Sequence, residues 1–243
     1  MPLGDAIAIS LLAFGAAFVG TISGFGFALL IDPPLAFFVG AKEAVVLSNV
    51  LGSAWLMTMF VRLRREVVWR TAIPLAIAAF AGMPFGLLVL ELVSERVLQV
   101  ILGVNVLAAT ILLWRGVRLD VHGRVVDGVA GFISGVLNTS TSMNGPPIVL
   151  HLQNQGLAPT PFRATIAAFF VSSSLFTLAL YALSGRIGGY ELFAFSLGLP
   201  GLALGYLGGS LVVKRLDAIQ FRRFIICVLV LSAIMVTARA VWG

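Results

Sequence analysis

Asn138-Thr139-Ser140-Thr141-Ser142 sets five consecutive hydrogen-bonding side chains in a stretch without charge, and Asn144-Gly145-Pro146-Pro147 follows almost at once. Hydroxyl and amide groups donate to an oxyanion without presenting it a competing negative charge. Pro146 suits the first position of a helix, where its missing N–H costs nothing. A new helix is therefore predicted to begin here, with Asn144 or Gly145 as its cap. The free N–H groups and positive dipole end of such a helix favour anions. Asn138, Thr139, Ser140, Thr141, Ser142, Asn144 and Gly145 are accordingly candidate ligands for a small negatively charged guest.

These residues lie in a window from Gly128 to Phe162 that holds no Asp, Glu, Lys or Arg. The window is too long for one bilayer crossing and short for two with a loop. A backbone that breaks at bilayer depth is tolerated only where protein buries it or a watery cavity receives it. A second copy supports this reading: Gly20, Ile22, Ser23 and Gly24 recur as Gly131, Ile133, Ser134 and Gly135, and Pro33-Pro34 recurs as Pro146-Pro147. Ser23 and Gly24 join the candidate ligands on that ground. Asp32, directly before Pro33, is predicted either to cap a second helix start or to take up a proton. The small-xxx-small spacing of Gly20 with Gly24 and of Gly131 with Gly135 allows close helix approach, and is expected to bring the two broken elements together.

Other polar residues are read more cautiously. Ser48 and Asn49 follow the first break and Thr165 the second, where they complete the walls of a pocket or serve as ordinary helix contacts. Arg163 either snorkels to lipid headgroups or turns inward as a counter-charge whose fork suits sulfonate or carboxylate. His151 is a buried hydrogen-bonded side chain or a proton relay. Asp32 and His151 are thus the candidates for coupling to an ion. Phe25, Phe27, Phe169, Phe170 and Phe176 read as packing or lipid contact.

The elements that must position these groups are transmembrane helices. The chain has 243 residues, 60% of them hydrophobic and 11% charged, with a mean hydropathy of +1.07, which excludes a soluble globule. Its net charge of +6 would suggest nucleic acid in a soluble protein. Here the basic residues sit in short loops, so lipid headgroups are the expected partner and nucleic acid is not. Cys227 has no second cysteine, so neither a disulfide nor a thiolate metal site is expected, and no cofactor or metal is implied. Met1 to Asp5 carries no basic residue, so the first segment is expected to remain in the mature chain.

Eight charge-free windows run along the chain, the first and fifth being the long ones. If all eight crossed, the 16 Lys and Arg would divide nine against seven; if the fifth enters and returns on one side, they divide twelve against four. The positive-inside rule favours the second arrangement. It places loops 62–70, 115–127 and 214–223 in the cytoplasm. Each half then has one re-entrant element and three crossings, so the halves are inverted, with a site at their interface near the midplane. The first repeat is predicted over 1–118, with a broken element at about 6–38 and helices at about 41–62, 71–90 and 97–114. The second covers 119–243, with a broken element at about 125–155 and helices at about 161–185, 190–213 and 219–241. Gly82 and Gly86 recur as Gly205 and Gly209 in the third element of each.

The duplicated GxISG followed by Pro-Pro, the NGPP run and the eight apolar segments resemble the sulfite exporter TauE/SafE family over essentially the whole chain. The resemblance implies an all-α polytopic protein of the cell inner membrane. It also implies transport of sulfite, organosulfonates or related small sulfur-containing anions, with no enzymatic activity and no cofactor. Whether two copies form a homodimer is left open. An intramembrane enzyme acting on a lipid phosphate is the alternative from another class. It would need a base beside a Ser and an arginine, and the polar run holds neither acid nor arginine.

Overall fold

A computed structural model describes residues 3–115 and 123–212 of the chain. Cys227, Arg118, the loop at 214–223 and the eighth apolar segment lie outside them. Among the described residues there are nine α-helices, one short 3₁₀ turn and no strand. The helices are α1 (Leu3–Ser23), α2 (Phe27–Val39), α3 (Ala41–Leu63), α4 (Trp69–Leu92), α5 (Glu95–Arg115), α6 (Arg124–Thr141), α7 (Gly145–Asn154), α8 (Pro159–Leu183) and α9 (Gly189–Val212). Five of them, α1, α3, α4, α8 and α9, contain spans long and apolar enough to cross a membrane. The protein is an all-helical, multi-pass membrane protein.

Both long apolar windows are broken. The first divides into α1 and α2 at Gly24–Gly26, and the second into α6 and α7 at Ser142–Asn144. In each case a long arm precedes a short one: 21 residues before 13, and 18 before 10. The second break falls where the sequence places it, with Asn144 at the N-cap position and Pro146 and Pro147 in the first turn of α7.

The first break does not follow the Pro-Pro signal. Helix α2 begins at Phe27, after Gly26 in the left-handed conformation at φ 90°. Pro33 and Pro34 therefore lie inside the helix, and Asp32 is mid-helix instead of a cap. The reason is local: a positive φ at Gly26 turns the chain at almost no steric cost, so the helix starts there. The prolines then remove the bonds that would reach back to the carbonyls of Leu29 and Leu30.

Two seams dominate the packing, α1 against α9 and α4 against α6. Both are glycine seams. A Cβ at Gly131 or Gly135 would fall on the backbone carbonyls of Leu75 or Ala79 of α4. One at Gly82 or Gly86 would fall on the carbonyls of Phe132 or Val136 of α6. In the other seam Gly201, Gly205 and Gly209 of α9 abut the carbonyls of Ser10, Phe14 and Phe18 of α1. Small residues permit this approach, which in lipid must come from packing because the tails are as apolar as the side chains.

The expectation that Gly20/Gly24 and Gly131/Gly135 join the two broken elements is thus overturned. Gly131 and Gly135 dock α6 on α4, while Gly20 faces the Trp55 ring of α3 and Gly24 faces Arg163 of α8. The joined partners are the first element of one half and the third-element helix of the other.

Helix α3 runs through the centre, packed on α2 and α8. Its Ala44–Leu47 stretch and Leu51 are buried, as are Phe169 of α8 and Ile31 and Leu35 of α2. This core holds the two breaks against each other.

Candidate functional site

The C-terminal end of α6 stops inside the protein, so its last carbonyls need partners. Side chains from two other helices supply them. Asn49 Nδ2 of α3 donates to the Asn138 carbonyl at 3.2 Å, and Tyr181 Oη of α8 donates to the Thr139 carbonyl at 2.6 Å. Ser142 Oγ lies 2.6 Å from the Thr141 carbonyl. Asn138 Nδ2 donates to Thr177 Oγ1 at 2.8 Å, and Ser134 Oγ to the Asn144 carbonyl at 2.8 Å. Ser142 itself takes the left-handed conformation, φ 54°, the one non-glycine among the described residues to do so. That turn sends the chain from α6 into α7.

The two breaks face one cavity. It is lined from the first break by Phe25, Gly26, Phe27, Ala28 and Leu29, and from the second by Ser142, Met143, Asn144 and Gly145. Ser48, Asn49, Asn138 and Ser174 add polar walls, and Trp55 and Phe170 apolar ones. The cavity volume is about 50 Å³, room for roughly three to five waters at 10–15 Å³ each, or one small ion. No ionisable side chain lines it among the described residues.

Both short helices present their N-termini here without a side-chain cap. In α2 the first-turn N–H groups of Phe27, Ala28 and Leu29 have no partner within the helix. In α7 the prolines at 146 and 147 remove two of the early donors, leaving Gly145 as the N–H of the first residue. Two positive dipole ends and a handful of amide and hydroxyl groups converge on a space of small-anion size.

Of the sequence candidates, Asn49, Asn138, Ser142, Asn144 and Gly145 line the cavity. Thr139, Ser140 and Thr141 do not. Ser140 and Thr141 bond back to the carbonyls of Val136 and Leu137 at 2.7 and 2.8 Å, and Thr139 Oγ1 lies 3.3 Å from Thr177 Oγ1. Helical periodicity explains this, since residues 100° apart cannot all face one side. Ser23 folds onto its own turn, donating to the Val19 carbonyl at 2.9 Å and contacting the Phe25 carbonyl. Gly24 forms the turn beside it.

Arg163 lies apart from the cavity, its Nη2 donating to the Thr21 carbonyl at the end of α1 at 2.8 Å. It thereby neutralises the negative end of that helix. Thr165 accepts from the Val68 N–H at 3.0 Å, tying α8 to the turn before α4. His151 Nε2 lies 2.9 Å from Asp127 and 2.9 Å from Gln155 Nε2, beside a separate, apolar groove. Asp32 is fully buried one layer behind the cavity wall, against Ser142 Oγ. Tyr181, Thr177, Ser173 and Ser174 of α8 carried no sequence motif, and a Ser/Thr/Tyr series along one apolar helix was the signal available.

A polytopic helical membrane protein whose two helix breaks meet at a small cavity of mixed lining, aromatic rings beside serine, asparagine and backbone groups, has the build of a solute transporter. The sulfite exporter TauE/SafE family model matches residues 9–236. The chain belongs to that family of membrane exporters of sulfite and related sulfur anions. No curated protein and no solved structure matches it.

Proposed function

We propose that the cavity between the two breaks binds a small sulfur oxyanion, sulfite or a short organosulfonate, and that the protein exports it across the cell inner membrane. The observation that carries this reading is the pair of uncapped helix N-termini, at Phe27–Leu29 and Gly145, on one cavity without ionisable lining. Donors and dipoles replace part of the anion's hydration, while the absence of a full positive charge lets it leave again. A volume of about 50 Å³ suits a compact headgroup and not a lipid.

Transport by alternating access follows from treating residues 1–118 and 119–243 as inverted halves that rock about this site. The reciprocal seams, α1 on α9 and α4 on α6, support that description: each half lends its broken element to the other. On this reading loops 62–70, 115–127 and 214–223 face the cytoplasm.

Gly145→Leu tests the site. A Cβ at Gly145 meets nothing closer than Phe25 at 3.7 Å, so the added side chain grows into the cavity without disturbing backbone. Purified variant and wild type are reconstituted, and exchange of sulfite and methanesulfonate is followed beside acetate and phosphate. Loss of sulfur-anion exchange in a variant that still folds is expected; unchanged exchange would move the site elsewhere.

A further inference from the structure

Asp32 does not touch the cavity, yet the wall it supports is the cavity's most polar part. It has no exposed surface, no Lys, Arg or His pairs with it among the described residues, and its Oδ1 has no hydrogen-bond partner. Its Oδ2 meets Ser142 Oγ, and Ser142 Oγ is also 3.0 Å from Ser48 Oγ and 2.6 Å from the Thr141 carbonyl. Both serines line the cavity. One hydroxyl therefore stands between a buried carboxyl and the space assigned to the anion.

The hydrogens in this cluster can be counted. Ser142 has one to give and two lone pairs to receive with. The Thr141 carbonyl can only accept. If Asp32 were ionised, its Oδ2 and that carbonyl would both demand the single Ser142 hydrogen, and one of the two close oxygen pairs would hold none. With a proton on Asp32 both close contacts of Ser142 hold a hydrogen: Asp32 donates to Ser142 and Ser142 to Thr141, while the single Ser48 hydrogen is shared between Ser142 Oγ at 3.0 Å and the Val45 carbonyl at 3.2 Å. A neutral acid also tolerates a partnerless Oδ1, whereas a buried unpaired carboxylate does not.

Neighbouring charges do not alter the count. Helix α1 carries no charged residue between Ala6 and Ser23. On α3 and α5, Lys42, Glu43 and Glu95 gather at the far end of α2, where Glu95 accepts from the Ala41 and Lys42 N–H groups, Lys42 reaches the Glu91 carbonyl and Glu43 lies against Gly40. Asp127 of α6 pairs with His151. On α8, Arg163 is turned to Thr21, and Tyr181 donates its proton to the Thr139 carbonyl.

We infer that Asp32 is the proton site of the transporter: it takes its proton before the anion enters, and Ser142 carries the effect of that proton to the cavity. The inference rests on the cavity being the anion site. Like charges separated by one hydroxyl in a low-dielectric interior exclude each other, so the anion is carried only while Asp32 holds its proton, and the empty carrier returns after Asp32 has released it. Coupling is one proton per monovalent anion, electroneutral, and indifferent to membrane potential, so export runs down the anion's own concentration gradient and an acid exterior opposes it. A one-unit pH gradient then sustains about ten-fold accumulation of a monovalent anion.

Methanesulfonate serves as the probe because it stays ionised across the working pH range and carries no proton of its own. In proteoliposomes the wild type is expected to accumulate it about ten-fold per pH unit, with no change on clamping the potential. Asp32→Asn, a fixed neutral mimic, is expected to lose pH-driven accumulation entirely, and Asp32→Glu, which restores a titratable carboxyl, is expected to recover it in part. Accumulation driven by a sodium gradient, or undiminished pH-driven accumulation in Asp32→Asn, would overturn the proton site while leaving the anion site standing. Absent exchange in the wild type would instead overturn the anion site and the coupling with it. Infrared spectra decide the protonation separately: a carboxylic C=O band at pH 7 that is missing from Asp32→Asn is expected, and its absence from the wild type would overturn the inference even if the variant misfolds.

Discussion

The two helix breaks share a sequence pattern but are built by different means. At the first, Gly26 turns the chain, the flanking side chains are Phe25 and Phe27, and the following helix keeps its early N–H groups. At the second, Ser142 turns the chain at positive φ, Asn144 and Gly145 follow, and prolines take away early donors of the next helix. One break offers backbone amides within an aromatic setting; the other offers side chains. The glycines before them differ in the same way. Gly131 and Gly135 lie against backbone of α4, while Gly20 and Gly24 lie against the side chains of Trp55 and Arg163. Similar chain paths at the two breaks thus rest on different contacts.

The largest expected effect tests that difference at the glycines. Gly135→Ala sets a methyl on the Ala79 backbone, which cannot move without parting α4 from α6. A cost of about 3 kcal/mol is expected, read as lost thermal stability of the purified protein in detergent. Gly20→Ala meets the Trp55 ring at 2.8 Å, a side chain that can rotate, and about 1 kcal/mol is expected. Equal losses would mean that the two copies pack alike.

The turns themselves give a smaller effect of opposite sign. Gly26→Ala adds a Cβ in open space but at φ +90°, so about 1–2 kcal/mol of stability should be lost to backbone strain alone. Ser142→Gly relieves that strain where Ser142→Ala retains it, and the glycine variant should be the more stable of the two by about 1 kcal/mol. Alanine equal to glycine would show that Ser142 is held by its contacts and carries no strain. Smallest of all is Thr141→Val. Its hydroxyl bonds the helix's own Leu137 carbonyl and accepts from Asn105 at 3.2 Å, so about 0.6 kcal/mol and unaltered anion exchange are expected. A large loss of exchange would bring the whole hydroxyl run back into the site.

Much of the architecture could be read from composition. Charge-free windows mark α3, α4, α5 and α9 to within about a turn, because in lipid a helix is the one open-chain form that satisfies its own backbone. The break at Ser142–Asn144 was visible because polar and helix-starting residues coincide there. Reading Pro33 as the helix start displaces the first break by six residues, because α2 begins at Phe27. Helix α2 starts instead where Gly26 turns the chain at φ 90°, and nothing local in the sequence separates a glycine that turns the chain from one that packs against a neighbour.

Periodicity within the polar run explains the remaining gap. A sequence presents Asn138, Thr139, Ser140, Thr141 and Ser142 as one string, but a helix sends neighbours to different sides. Only Asn138 and Ser142, four apart, share the face turned to the cavity. Which face that is depends on α4, whose glycines fix the rotation of α6.

By itself the sequence determined that this is a helical membrane protein, that its backbone breaks twice inside apolar windows, and that the second break is rich in neutral donors. These follow from local chemistry: hydropathy, and the conformational limits of glycine and proline. Only the tertiary structure decided that both breaks open on one cavity, that Arg163 serves a helix end instead of the site, and that Asp32 stands behind Ser142 across 110 residues of chain. Those depend on which helix rests on which, and helix rotation is set by close contacts between residues far apart in the chain.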